Sequence, residues 1–160
     1  MADQVFVQAE EGGTADHPLG GAVTFKVRGR ETDRSLTAFE TVVGPGLGPP
    51  LHEHANEEET LYVLEGDVRF KLGDRMVSGP PGTFVFVPRG TPHTFQNVGE
   101  TSARMLIHFT PSGMERFFEE FAELPAGETG PEVFRSIGAK VGMDVVGPPL
   151  AQSDPISSRT

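Results

Sequence analysis

The sequence predicts an all-β domain, a barrel or sandwich of short strands, followed by two short helices. Three observations predict it. The 160 residues include 20 Gly and 14 Pro, well above the roughly 12% usual for the pair. Between 22 and 109, short runs rich in Val, Thr and Phe alternate with Gly- and Pro-containing breaks, and no helical period intervenes. After Pro111 the apolar spacing changes to that of a helix. A chain of this length fits one domain and buries about two-thirds of its unfolded surface.

Taken in order, residues 1–20 are polar and contain Glu10-Glu11-Gly12-Gly13, which reads as a loose arm. Strands are expected over 22–28 and 35–43. The run Gly44-Pro45-Gly46-Leu47-Gly48-Pro49-Pro50 then breaks the chain. Further strands are expected at 51–54, 59–65, 67–72, 75–78, 83–87, 92–98 and 103–109. Gly66-Asp67, Gly73-Asp74, Gly79-Pro80-Pro81-Gly82, Arg89-Gly90 and Gly99-Glu100 separate most of them. The barrel therefore spans 21–110.

A helical extension follows over 111–146. Ser112 and Glu115 read as a capping box, and Met114, Phe117, Phe118 and Phe121 share one helix face. That stripe is expected to pack on the barrel. A second helix starts at Thr129…Glu132, with Pro131 in its first turn and Gly142 beyond its end. Residues 147–160 read as an extended or disordered tail.

Composition excludes several functions. With 13 Lys+Arg against 23 Asp+Glu the net charge is −10, which disfavours nucleic acid and anionic membrane as partners. There is no Cys, so any metal must rest on His and carboxylate. No signal peptide or membrane-length apolar run is visible. A cytoplasmic protein acting on a small molecule is the expectation.

His52 and His54 are two apart, so a strand points both to one face. Glu59 opens the next run, and His93 follows Pro88-Arg89-Gly90-Thr91-Pro92. Three imidazoles and one carboxylate suit Fe, Mn, Ni, Co, Zn or Cu, one divalent ion per chain. Glu58 is the rival acid. Alternation lets only one of the two point inward, and Glu59 shares its face with Leu61 and Val63. Glu57 to Glu59 otherwise read as a solvated acidic run. His108 reads as a half-buried residue with a local hydrogen bond, and His17 as exposed. Phe39, Phe70, Phe84, Phe86, Phe95, Met105 and Phe109 lie in strands, mostly as core, with about a third facing a cavity.

These motifs resemble the cupin superfamily. Gly46-(x)5-His52-x-His54-(x)4-Glu59-(x)6-Gly66 is similar to its first signature, and Gly82-(x)5-Pro88-x-Gly90-(x)2-His93-(x)3-Asn97 to its second, with 15 residues between them. The resemblance implies a double-stranded β-helix in which His52, His54, Glu59 and His93 bind one metal. Homodimers are common in that family, and the arm before Ala22 is a candidate for exchange onto a neighbour's sheet edge. The wider pattern resembles small bacterial quercetin 2,3-dioxygenase-like cupins, through Leu19-Gly20-Gly21, Thr24-Phe25-Lys26, Phe117-Phe118 and Val145-Val146-Gly147-Pro148-Pro149-Leu150. That resemblance implies O2-dependent cleavage of a phenolic or enolisable aromatic compound, with Glu59 as both ligand and catalytic base. A non-catalytic small-molecule-binding cupin and a metal-dependent isomerase or decarboxylase are the alternatives.

Overall fold

The computed structural model describes residues 1–2, 4–16, 21–125, 128 and 130–157. Its strands are β1 (Thr14–Asp16), β2 (Ala22–Val27), β3 (Thr37–Val43), β4 (Pro50–His54), β5 (Glu58–Glu65), β6 (Val68–Leu72), β7 (Arg75–Gly79), β8 (Phe84–Val87), β9 (His93–Asn97), β10 (Ala103–Thr110) and β11 (Met143–Pro149). The helices are α1 (Glu115–Ala122), α2 (Pro131–Lys140) and α3 (Leu150–Ser153). His17 and Thr129, and with them the second capping box, lie outside the described residues. No described helix is long and apolar enough to cross a membrane.

The strands form two sheets. One runs β1-β2-β3-β10-β5-β8 and the other β11-β4-β9-β6-β7. All described pairings are antiparallel. Alternation along each strand sends one face inward, where Phe25, Phe39, Leu61, Val63, Phe70 and Met105 are almost fully buried in a shared core. This is the double-stranded β-helix that the sequence predicts. Gly66 shows why the breaks fall where they do. Its φ is +86°, and a Cβ there would meet the Ala103 backbone at 2.8 Å, so the β5–β6 turn accepts only glycine.

Three expectations need correction. The segment from Gly147 is not a free tail. β11 pairs with β4, Val145 opposite His52 and Met143 opposite His54, and α3 follows. Arg69 pins α3 by donating to the carbonyls of Leu150 (3.4 Å) and Asp154 (2.5 Å). The prolines are tolerated because β11 is an edge strand with an irregular register.

The arm, secondly, carries β1, which lies on β2 of its own chain. Thirdly, Ser112 does not cap α1, and Glu115 turns elsewhere. Its carboxylate accepts from the Gly29 amide (2.9 Å), the Gly113 amide (2.8 Å) and the Thr37 hydroxyl (2.5 Å). It therefore ties the helix to the barrel. Phe117, Phe118 and Phe121 pack against the barrel as the stripe implied. Each contributes about 1.5–3 kcal/mol by leaving water.

Candidate metal centre

Sheet geometry assembles the site. On β4 the even positions His52 and His54 point into the barrel and are buried. His52 lies opposite His93 of β9 in the register. Glu59 comes across the barrel from β5, where it shares the inner face with Leu61 and Val63. Glu58 points the other way, with an oxygen 3.9 Å from Arg89 Nε. The turn before β9 is fixed from both ends. Gly90, at φ +68°, donates its amide to the His54 carbonyl at 2.8 Å.

The ligand atoms of His52, His54, Glu59 and His93 lie within 4.8 Å of one another. One coordination sphere with bonds of about 2.1 Å spans roughly 4.2 Å. Glu59 Oε2 is 2.6 Å from His93 Nε2 and 3.2 Å from His54 Nε2. His52 Nδ1 donates to the Pro50 carbonyl at 2.7 Å, and His93 Nδ1 to the Thr91 carbonyl at 2.8 Å. A carbonyl only accepts, so both Nδ1 atoms carry hydrogen and the Nε2 atoms face the centre.

The charges are consistent with a cation here. Burial, followed by the neighbouring His93 and His54, holds the His52 pKa down to about 3, so its imidazole stays neutral. Burial opposes ionisation of Glu59, yet His93, which hydrogen-bonds to it, and the neighbouring His54 hold its carboxyl well below the usual range. Burial likewise disfavours the charged His93, and contact with Glu59 overrides it and raises its pKa. His54 is buried with neither ring nitrogen hydrogen-bonded. A proton on His93 leaves His54 unsatisfied. One divalent ion would satisfy all three Nε2 atoms and the carboxylate together, so the residues fit a metal.

The cavity above the four side chains has a volume of about 50 Å³. Phe39, Phe95 and Phe109 line it, as the strand positions allowed. Phe70 and Met105 are core elsewhere, and Phe84 and Phe86 are exposed. Sequence reasoning assigned Phe117 and Phe118 to packing alone, yet with Phe134 they roof this cavity. It also missed Glu57, which is buried with Oε2 lacking a hydrogen-bond partner. Burial raises its pKa against the pull of His54, Arg116 and Arg89. Glu57 sits in a loop, where no periodicity marks an inward residue. His108 is half-buried on the outer face of β10, 3.0 Å from the Thr60 hydroxyl.

A family model described as a cupin domain matches residues 39–109, which hold all four clustered residues. Residues 39–109 are thus similar to a cupin domain. An uncharacterized protein of Methanocaldococcus jannaschii is 31% identical over 67 residues, 42% of this chain and 54% of that protein. Polyketide synthase CurC of Streptomyces cyaneus is 31% identical over 70 residues, 44% of this chain and 46% of that protein. The chain spans about half the length of these curated relatives. An RmlC-like cupin from Shewanella frigidimarina superposes with a TM-score of 0.60 at 18% identity, covering 71% of this chain and 96% of that one. The cupin fold is thus shared, while α1, α2, β11 and α3 lie beyond the matched span.

Proposed function

We propose that this cupin is a divalent-metal dioxygenase acting on a small phenolic or enolisable aromatic compound, with a flavonol as the test case. The observation that carries this reading is the convergence of three imidazoles and one carboxylate at the floor of a Phe-lined cavity. Three neutral histidines and one Glu leave a bound divalent ion with a net charge near +1, which supplies Lewis acidity toward a phenolate or enolate oxygen.

The chain's own residues supply the rest. Pro50 and Thr91 carbonyls hold the His52 and His93 rings in the required tautomer. Glu59 is the one carboxylate on the cavity wall among the described residues and accepts the hydroxyl proton as general base. Phe39, Phe109 and Phe117 exclude bulk water, which strengthens every charge interaction within. A cavity of about 50 Å³ admits one or two molecules the size of water or O2. The name of the polyketide synthase relative favours the substrate class, because poly-β-ketone chains enolise and cyclise to phenols.

The test is oxygen uptake with quercetin by protein loaded in turn with Fe, Mn, Co, Ni and Cu. Uptake above that of the free ion under one loading supports the reading. No uptake with any loaded ion removes the oxygenase and leaves the isomerase, decarboxylase or binding roles.

A further inference from the structure

The cavity above the metal ligands is too small for a flavonol, and a larger space lies beside it. A groove of about 540 Å³ runs between α2 and β11, within the usual size range of small-molecule sites. Its walls include Pro50, Phe121, Phe134, Arg135, Val145 and Val146. Phe134 lines both the groove and the small cavity. Pro50, at the groove, is the residue whose carbonyl orients His52, and Val145 is the register partner of His52. The two spaces are therefore neighbours with one aromatic ring between them. That ring is held by an edge contact with Phe117, centroids 5.0 Å apart, of a kind worth about 0.5–1.5 kcal/mol.

The groove is mainly apolar, with Gln152 and Arg135 as its polar side chains. Among the described residues Arg135 is the single charged one on its wall, in a chain of net charge −10. Its Nη1 donates to the Val145 carbonyl at 3.2 Å, which fixes the guanidinium against the groove floor. A guanidinium offers five donors and pairs well with a carboxylate.

We infer that this groove binds an aromatic anion, a carboxylate or phenolate of two or more rings. Arg135 engages the charge, and Phe134 is the movable wall between groove and metal cavity. The inference rests on the metal-dependent reading above and names where the body of the substrate lies.

The chain contains no Trp, so Val146→Trp places a single indole in the groove at a position already 46% exposed. Biphenyl-4-carboxylate is titrated into Co(II)-loaded and metal-stripped protein while indole emission is followed. A saturable change is expected in both forms. Arg135→Gln should raise the midpoint about tenfold, the loss of one charged hydrogen-bonding partner. Arg135→Lys should recover part of it, and neutral biphenyl-4-methanol should bind about tenfold more weakly. In Phe134→Ala, or Phe134→Leu if alanine fails to fold, the carboxylate should also shift the visible Co(II) bands.

Absence of a saturable change, or a midpoint indifferent to Arg135→Gln, overturns the groove. Unmoved Co(II) bands in the Phe134 variant overturn its link to the metal. Protein that takes no Co(II) yet keeps the indole response defeats the metal reading and leaves the groove standing.

Discussion

Glu59 and His93 meet at 2.6 Å from opposite sheets of the barrel, the acid on β5 and the imidazole on β9. Neither sheet holds the contact alone. The four-residue cluster exists only when both sheets are packed, so binding of a metal there would be coupled to barrel closure.

Metal should accordingly stabilise the fold. At a thousand times its Kd a ligand adds about 4 kcal/mol. For a domain of this size that raises Tm by roughly 8–16 °C. Differential scanning calorimetry with and without chelator measures it, and identical melting curves would contradict the coupling.

Each of His52→Ala, His54→Ala and His93→Ala should weaken metal binding more than tenfold, since even partners that only orient a ligand matter by about 10–100-fold. His108→Ala should leave binding unchanged, because that ring faces Thr60 on the outer face. Metal content of protein purified without chelator is the readout.

Glu59→Gln removes the proposed base while keeping its size. Turnover should fall by about 10²–10⁴-fold. Turnover is to be compared at matched metal content, measured by elemental analysis. A smaller loss at equal occupancy places the base elsewhere.

Glu115 accepts from three donors, two of which, Gly29 and Thr37, link α1 to the barrel, and its replacement should be felt in stability. Burial alone would raise its pKa, but Thr37, Gly29 and Gly113 hold it below the ordinary glutamate value. A lowered folded pKa adds stability above the unfolded value, and the gain is lost as pH falls through the folded one. Glu115→Gln should therefore cost about 2 kcal/mol near pH 7. The gap from wild type should close as the pH falls below that of an ordinary glutamate. Urea unfolding at several pH values checks both signs.

Phe84 and Phe86 stand 64% and 53% exposed on β8, an edge strand of the six-stranded sheet, with Tyr62 beside Phe84. An aromatic patch on an open edge favours association. A dimer at micromolar concentration is expected by light scattering, and Phe84→Lys with Phe86→Lys should return a monomer. A wild-type monomer sinks this.

Most of the barrel was legible because its turns are written in glycine and proline. Gly66 at φ +86° needs no partner to be recognised. The inward choice of Glu59 followed from Leu61 and Val63 on the same face. β11 was not legible, since Pro148 and Pro149 read as a tail and only an edge position excuses them. The roof of the cavity was half legible. The spacing of Phe117 and Phe118 shows that one face is buried, but a helix stripe does not say what it is buried against. Glu57 was hidden because charge runs on loops are usually solvated.

The pairing of β4 has a consequence for the order of events during synthesis. β4 touches β9 through one register position, His52 with His93, but pairs with β11 from Pro50 to His54. Met143 is translated 89 residues after its partner His54 (143 − 54). A nascent chain that has emerged only through β10 carries its two histidines on a weakly supported strand. An ion arriving then meets a pliable pair of imidazoles, where the Irving–Williams order rules and copper or zinc wins. An ion arriving after β11 docks meets a finished cage, where geometry has a say. If a metal binds, its identity would in this sense be a matter of timing, with β11 keeping the clock.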